Sequence, residues 1–365
     1  MQRRTFLKAL TVAGLGAVTV GSLAGCAPGE EPAPVGPIKT AGPINADISF
    51  AMYPGYLALM TQYVFDPYSA KNTGVSVEGI EGPASQTYAQ ILASPAGNRP
   101  FHGGMMNDAL SWSGVKDDLW QKVTEAMVPN LATVPAGLRN EAGTPWAFNG
   151  FGISYNPEKI SGGIQSWTDL YDPALKGRVA MWPAYFDAYL MAAVAAGANE
   201  TEIEKGIEAW KAAKDNIGMW ITSVADLHQA MDRGEIWAAP DYLGTAVRDA
   251  KAGMKLAFSI PAEGAVLNTY QLDVVNGISD DESRAMAGLF DLILDESTQA
   301  ATYEKVFLIP ANGDVKVDSS KAQIAGIEDF DFTAASAQDR FYKANYKWVG
   351  ENTAKIKALI EDNLL

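Results

Sequence analysis

Apolar runs and amphipathic segments alternate along most of the chain. The runs DISFAMY (47–53), VSVEGIE (75–81) and FHGGMMND (101–108) have the length and composition of short strands. Segments with a helical spacing of apolar residues, such as YLALMTQYVFDPYSAKN (56–72) and TYAQILAS (87–94), lie between them. Strands that alternate with helices predict a parallel sheet with helices on both faces, which is an α/β fold.

The alternation pauses at TPWAFNGFGISYNPEKI (144–160), which is rich in aromatic, Gly and turn residues and predicts a crossing between two lobes. It resumes with the predicted strands RVAMW (178–182) and EIWAAPDY (235–242) and the helices around them. The segment 255–277 contains two further predicted strands and is expected to cross back to the first lobe. The last segment, 336–365, is predicted to be helical.

The N-terminal segment has the pattern of an export signal. Arg3 and Arg4 precede Phe-Leu-Lys, and an uncharged apolar run extends from there to Gly25. The arginine pair resembles a twin-arginine signal read by the twin-arginine translocase, and the four residues ending at Cys26 resemble a bacterial lipobox. We therefore expect residues 1–25 to be a signal peptide, Cys26 to be lipidated, and 26–46 to be a flexible linker. An uncleaved membrane anchor is the alternative.

Composition narrows the possible functions. The chain of 365 residues has 43 acidic and 28 basic residues, a net charge of −15. Loss of residues 1–25 would remove three basic residues and leave 25 − 43 = −18. Such an acidic protein repels phosphate backbones, so nucleic acid is not an expected partner. The single cysteine excludes an internal disulfide. We expect a monomer with no cofactor and no metal site.

Three stretches in a fixed order carry a family resemblance. They are GISYNPEKI followed by SWTDLYDPALKGRVAMW, SVADLHQAMDRGEIWAAPDYLGTAVRDAKAG, and FLIPANGDV. Together they resemble the bacterial extracellular solute-binding proteins of ABC importers, most closely the spermidine/putrescine and iron types. The resemblance implies the two-lobed periplasmic-binding-protein type II fold, with lobe 1 at 47–148 and 264–315 and lobe 2 at 149–263 and 316–365. It also implies a small solute in the cleft between the lobes and an ABC transporter permease as partner.

Candidate contacts to the solute follow predicted strands, because open parallel sheets bind ligands at the carboxyl ends of their strands. Aromatic faces there could enclose a cation, and carboxylates could pair with ammonium groups. The candidates are Tyr53, Tyr56, Ser85, Gln86, Thr87, Asn107 and Asp108 in the first lobe, Trp182, Tyr185, Asp187, Ser223, Asp241 and Tyr242 in the second, and Asn268, Tyr270 and Asp273 in the segment 255–277.

Several candidates have a structural alternative. The aromatic residues Tyr53, Tyr56 and Trp182 could be ordinary core residues. Polar residues such as Asp108 and Ser223 could cap helices. A further polar candidate, Asp187, could be solvated at the start of its helix.

Tyr242 is the preferred ligand contact, because polyamine-binding relatives have at this position a Trp whose ring forms one side of the ligand site. Asn268 and Tyr270 stand where those relatives have a Trp and an amine-binding Asp. This departure disfavours spermidine and leaves a smaller amine, an amino-acid-like zwitterion or another solute.

Three functional classes are alternatives to the capture of an amine: ferric iron binding, hydrolysis and a purely structural role. Ferric iron would need tyrosinate, carboxylate and often histidine ligands, but there is no adjacent tyrosine pair and only His102 and His228 are present. For His228, a surface or packing role is expected rather than metal binding. An exported hydrolase lacks a G-x-S-x-G or H-E-x-x-H motif. A purely structural lipoprotein is the remaining alternative, so the chain is not expected to be an enzyme.

Overall fold

The computed structural model describes residues 42–183, 185–331 and 339–365. The predicted signal peptide, Cys26 and most of the predicted linker lie outside the described residues. In the described part, eleven strands form one sheet. The strands are β1 (Ala46–Met52), β2 (Val75–Glu81), β3 (Gly103–Asn107), β4 (Thr144–Tyr155), β5 (Val179–Met181), β6 (Ile217–Trp220), β7 (Ala238–Tyr242), β8 (Ala257–Ser259), β9 (Ala265–Val274), β10 (Ile309–Pro310) and β11 (Phe341–Tyr342).

The sheet has two parallel sets of strands joined by two long antiparallel ones. Its order is β2-β1-β3-β9-β4-β7-β5-β6. Strand β1 runs parallel to β2 and β3, and β5 runs parallel to β6 and β7. Strands β4 and β9 pair with each other in antiparallel fashion, and each also pairs antiparallel with a neighbouring set. The α/β fold with two connecting strands is confirmed.

Eleven α-helices in the described residues pack on this sheet. The predicted helix over 56–72 contains one π-helical turn, Thr61–Phe65, between two α-helical pieces. The helices are α1 (Leu57–Met60), α2 (Asp66–Lys71), α3 (Ala84–Ala93), α4 (Asp108–Lys116), α5 (Phe186–Ala195), α6 (Ile203–Ala212), α7 (Val224–Asp232), α8 (Leu243–Lys251), α9 (Asp280–Ile293), α10 (Glu296–Val306) and α11 (Tyr346–Leu364).

Each set of strands has its own apolar core. We call β1–β3 with their helices the first half and β5–β7 with theirs the second half. Phe50, Phe290 and Trp146 are buried in the first core, and Trp167 and Trp210 are buried in the second. The candidate site described below contains residues from both of these packed halves. None of the helices in the described residues is long and apolar enough to span a bilayer.

The C-terminal prediction was partly wrong. The segment 336–365 was predicted to be helical, but within the described residues the helix begins only at Tyr346. Phe341 and Tyr342 instead form β11, which runs parallel to the start of β9. The reason is burial, since Phe341 packs against Phe330 and the core around β8, which a solvent-facing helix could not provide.

Candidate functional site

The carboxyl ends of the parallel strands carry most of the predicted contacts. Tyr53 follows β1, Asp108 follows β3, and Tyr242 ends β7. Trp182 follows β5, and Asp187 lies in the first turn of the next helix, α5. All of these strands point the same way within their half, so their ends bring polar and aromatic side chains to one edge of each half.

Tyrosines and a tryptophan form a first aromatic group, in the first half and on β9. The ring of Tyr53 lies 5.3 Å from that of Tyr270 and 6.3 Å from that of Tyr56, between centroids. Trp146 completes the group, at 6.2 Å from Tyr270 and 6.1 Å from Tyr56. Tyr53, Tyr56 and Tyr270 are half-buried and pack against the first core, with part of each side chain exposed. Trp146 was not among the predicted contacts.

A second aromatic group lies in the second half. Tyr242 is 5.5 Å from Tyr185 and 6.0 Å from Trp182, and both tyrosines contact Phe151 at about 5 Å. The indole of Trp182 donates a hydrogen bond to the carbonyl of Pro240 at 2.8 Å, which fixes the ring beside β7. Trp182, Tyr185 and Tyr242 are half-buried. The sequence had not indicated Phe151.

The two aromatic groups lie near each other. Desolvation raises the pKa of Tyr242, and ionisation of the nearby Tyr270 or Tyr53 would raise it further, so these tyrosines are neutral at ordinary pH. Asn149 on β4 links the groups, because its amide donates to the hydroxyl of Tyr270 at 3.3 Å and its oxygen accepts from the backbone N–H of Gly244 at 3.0 Å. The two connecting strands thus carry residues of the site.

Asp187 is buried in this site rather than solvated. It is 2% exposed. Its carboxyl accepts from the hydroxyl of Tyr346 at 2.7 Å and from the amide of Asn268 at 2.8 Å. Burial raises its pKa, although these hydrogen bonds partly offset the effect. Tyr346, the first residue of α11, was not predicted as a contact. We call the group of Tyr53, Tyr56, Tyr185, Tyr242, Tyr270, Tyr346 and Asp187 the tyrosine site.

Asp108 is a buried carboxyl and not the cap of α4. The cap is Asn107, whose side chain accepts from the N–H of Leu110 at 2.9 Å. Asp108 accepts from the backbone N–H of Thr269 and from the amide of Gln271, both at 2.8 Å. Burial raises its pKa to about 7, and the charge of Asp187 also acts to raise it.

Asp273 is the third buried carboxyl beside the crossing strands. It accepts from the hydroxyl of Ser111 at 2.5 Å. Burial raises its pKa to about 8, with a contribution from Asp108. Within the described residues, none of Asp108, Asp187 and Asp273 forms an ion pair with Lys, Arg or His. This region therefore holds acidic groups without a cation from the protein.

Some polar atoms of the site have no hydrogen-bond partner among the residues that the structure describes. They include the hydroxyl of Tyr53, the indole N–H of Trp146 and the side-chain oxygen of Asn268. The amide nitrogen of Asn268 is fixed toward Asp187 and Tyr346, so its oxygen is an acceptor. Buried polar atoms are nearly always paired, so these atoms are suited to contact a bound molecule.

Four of the residues predicted to contact the solute lie outside the tyrosine site. Ser85 and Gln86 are exposed and lie in the first turn of α3 rather than in a loop, and no contact joins them to the tyrosines among the described residues. Ser223 caps α7, accepting from the N–H of Asp226, as its structural alternative proposed. Asp241 is fully buried against His228 and Ser154, on the face of β7 that does not carry Tyr242. Neighbouring strand residues point to opposite faces, which explains why Tyr242 and Asp241 differ.

A cavity of about 250 Å³ lies beside Tyr346, the residue that it shares with the tyrosine site. Asp108 is also part of its wall. Three basic residues are among the other residues that line it. The cavity is lined by Asp108, Trp112, Gly137, Leu138, Arg139, Asn140, Leu267, Thr269, Lys343, Ala344, Asn345, Tyr346 and Lys347.

Comparisons with known proteins agree with this architecture. The model of the family described as bacterial extracellular solute-binding protein matches residues 64–326, more than half of the chain. No curated protein sequence matches the chain.

Many solved structures are similar. A substrate-binding protein of an ABC transporter from Bradyrhizobium japonicum aligns with a TM-score of 0.72 at 19% identity, over 88% of this chain and 100% of that one. The binding protein AgtB from A. tumefaciens R10, in complex with agropinic acid, gives 0.71 at 21% identity over 87% and 98% of the two chains. A Listeria monocytogenes protein named as a spermidine/putrescine ABC transporter gives 0.70 at 12% identity over 86% and 98%. At these identities the similarity concerns the fold.

Proposed function

The chain belongs to the family of bacterial extracellular solute-binding proteins, and we propose that its solute is a small organic amine held in the tyrosine site. The family and the structural neighbours are transport proteins rather than enzymes, and such proteins deliver a small solute to the permease of an ABC transporter. The fold is that of type II periplasmic binding proteins. The nature of the solute follows from the chemistry of the site.

The observation that carries the proposal is a concentration of buried carboxyls without a protein cation, next to tyrosine rings. Asp108 and Asp187 would each gain a charge-assisted hydrogen bond or a favourable Coulomb interaction with an ammonium group. Ring faces of Tyr242, Tyr270 and Tyr53 would attract the same cation through their quadrupoles. The unpaired oxygen of Asn268 provides a further acceptor. An ammonium group would satisfy the carboxyls, the ring faces and this oxygen together.

The structural neighbours include one protein that is named for amines. It is named for spermidine and putrescine, whereas two others were solved with agropinic acid and with fructose-6-phosphate. Asn268 and Tyr270 take the positions where polyamine binders have Trp and Asp, and this favours a smaller or differently charged amine over spermidine.

We also propose that the protein is a lipoprotein with two closing lobes. The twin-arginine pair and Cys26 support export by the twin-arginine translocase and lipid attachment at the outer face of the membrane. We place the lobes at 47–148 with 264–315 and at 149–263 with 316–365. Two apolar cores that lie mostly within one lobe each support this division, while a third core takes residues from both lobes. An amine that contacts both would shift the population toward a closed form. We expect a monomer.

The experiment is a ligand screen combined with two variants of Tyr242. Purified protein is heated with amines, amino acids, organic acids, phosphonates and sugars. At 100 times its dissociation constant, a ligand should stabilise the protein by about 2.7 kcal/mol, which raises the melting temperature measurably. We expect amines or amino acids to do so, with affinity reduced about tenfold or more in Tyr242→Ala and largely kept in Tyr242→Phe, because the ring is the binding element.

A response confined to sugars, organic acids or phosphonates would contradict an amine as the solute. Unchanged affinity in Tyr242→Ala would show that the solute binds elsewhere. Circular dichroism of both variants checks that the fold is intact.

Ferric iron is the second candidate, because the fold brings together tyrosines that are distant in the sequence. Two of them, Tyr185 and Tyr242, lie side by side. Within the described residues, however, no group of three or more His, Cys, Asp or Glu side chains is placed to hold a metal. A titration with Fe(III) decides, since tyrosinate ligands would produce a charge-transfer absorption band and an amine site would not.

A further inference from the structure

The cavity beside Tyr346 is lined by one buried acidic residue and by basic residues, of which both lysines are exposed. Its acidic lining residue is Asp108, which is 4% exposed. Its basic lining residues are Arg139, Lys343 and Lys347. The chain as a whole has 43 acidic and 28 basic residues, so this local excess of positive charge runs against its composition.

Two of the three basic side chains have fixed positions. Arg139 forms an ion pair with Glu125 at 2.5 Å and donates to the carbonyls of Val134 and Ala132. The ammonium of Lys347 lies 5.6 Å from the ring centroid of Trp112, in a cation–π contact. These contacts hold both side chains in the wall of the cavity, and Glu125 offsets the charge of Arg139.

Lys343 differs, because it has no ion-pair or hydrogen-bond partner among the described residues. Its charge is therefore available to an anionic group that enters the cavity. A second ammonium beside Lys343 and Lys347 would instead meet like charges, which disfavour binding at close range.

On the premise that the solute is an amine, we infer that it also carries a carboxylate and is an amino-acid-like zwitterion. Its ammonium lies toward Asp108 and the tyrosines, and its carboxylate lies toward Lys343 and Lys347. Such a solute is complementary in charge both to Asp108 and to the two lysines, whereas a diamine is complementary only to Asp108.

The test uses pairs of compounds that differ only by a carboxylate. The pairs are ornithine with putrescine, lysine with cadaverine, and arginine with agmatine, each titrated calorimetrically into the purified protein at low and moderate salt. For the pair that binds, we expect the amino acid to bind about tenfold tighter than its amine. Lys343→Gln should weaken the amino acid about threefold to tenfold and leave the amine unchanged or slightly tighter.

Lys357→Gln is the matched control. Lys357 is exposed on α11, where it pairs with Glu361 at 3.7 Å outside the cavity, and its removal should change neither affinity. An amine that binds as tightly as its amino acid would overturn the inference and leave the amine function intact. Equal weakening of both compounds by Lys343→Gln, or of neither, would also overturn it. Failure of every amine and amino acid to bind would refute the proposed function itself.

Discussion

Several residues that define the site are buried carboxyls, whose surroundings disfavour the ionised form. Asp108 is 4% exposed, and its raised pKa reports the cost of placing a charge away from water. A protein that needed this residue only for stability would do better with a neutral side chain of the same shape. Such a conflict between stability and local chemistry is typical of functional sites.

The variant Asp108→Asn tests whether this carboxyl costs stability and contributes to binding. Gln271 has an unpaired side-chain oxygen, so its amide can turn to accept from the new Asn while Thr269 still donates to the Asn oxygen. We expect the free energy of unfolding at pH 8 to stay the same or rise by about 1 kcal/mol, because a buried charge is removed. Amine affinity should fall about tenfold or more, because a charge-assisted contact is lost.

The pH dependence of binding provides an independent readout. With its pKa near 7 in the free protein, Asp108 is mostly protonated at pH 6 and mostly ionised at pH 8. A bound ammonium favours the ionised form, so wild-type affinity should rise between pH 6 and pH 8, with protons released on binding at pH 6 to 7. The rise should be smaller in Asp108→Asn. An affinity that is independent of pH in the wild type would contradict the contact.

Most residues of the tyrosine site could be predicted from the sequence, but not all. Tyr53, Asp187 and Tyr242 could be predicted because they lie at or soon after the ends of strands, where ligand sites lie. Trp146 and Phe151 could not, because the connecting strand β4 is buried along its whole length and nothing distinguishes them from core residues. Which face of a strand an individual residue occupies depends on register, and this is why Asp241 was misplaced.

At the scale of elements, an ionic network joins α7, β7 and α8 behind Tyr242. His228 is fully buried, and its two ring nitrogens lie 2.7 Å from the carboxylates of Asp241 and Asp249. Arg248 makes two further hydrogen bonds to Asp249. A surface or packing role was expected for His228; the structure shows it buried, as a member of an ionic network, and this network fixes the end of β7 that carries Tyr242.

The network gives stability a specific pH dependence. Burial alone would lower the pKa of His228, but Asp241 and Asp249 outweigh it and raise the pKa to about 9. Burial would raise the pKa of Asp249, but His228 and Arg248 lower it to about 2. Because the folded pKa of His228 exceeds its ordinary value of about 6.5, its contribution is complete below pH 6.5 and is lost as the pH rises through 9.

His228→Gln removes this contribution. We expect it to lower the free energy of unfolding by roughly 3 kcal/mol at pH 6 and by much less at pH 9.5, so that the difference from wild type shrinks through this range. Denaturant unfolding at several pH values measures the difference. The other histidine, His102, accepts from the N–H of Ser49 and lies in the first half, so His102→Gln should not reproduce the effect. A constant difference across the pH range would contradict a charged His228.

Element positions in the two parallel sets could be predicted from the alternation of apolar and polar residues. The start of the C-terminal helix could not. The segment before Tyr346 is polar and amphipathic enough to suggest a helix, but Phe341 is buried beside β9 and extends the sheet instead. Long-range pairing of this kind leaves no local periodicity to detect. It also explains why Tyr346 was missed as a site residue.

At the scale of the whole molecule, the site is shared between the two halves and the strands that join them. Tyr53 and Asp108 come from the first half, Tyr185 and Tyr242 from the second, and Asn268 and Tyr270 from β9. A ligand that contacts all three therefore couples capture to any change in the arrangement of the halves. The chain order of the strands and the family resemblance were sufficient to predict this architecture, while the charge distribution of the cavity required the structure.

The most direct measurement is a crystal structure of the protein with the tightest-binding amine or amino acid of the screen. We predict an ammonium nitrogen within hydrogen-bonding distance of Asp108, Asp187 or the oxygen of Asn268, with the rings of Tyr242 and Tyr270 on either side of the ligand. A ligand bound away from the tyrosine site, or one that presents an anionic or neutral group to these carboxyls, would contradict the account.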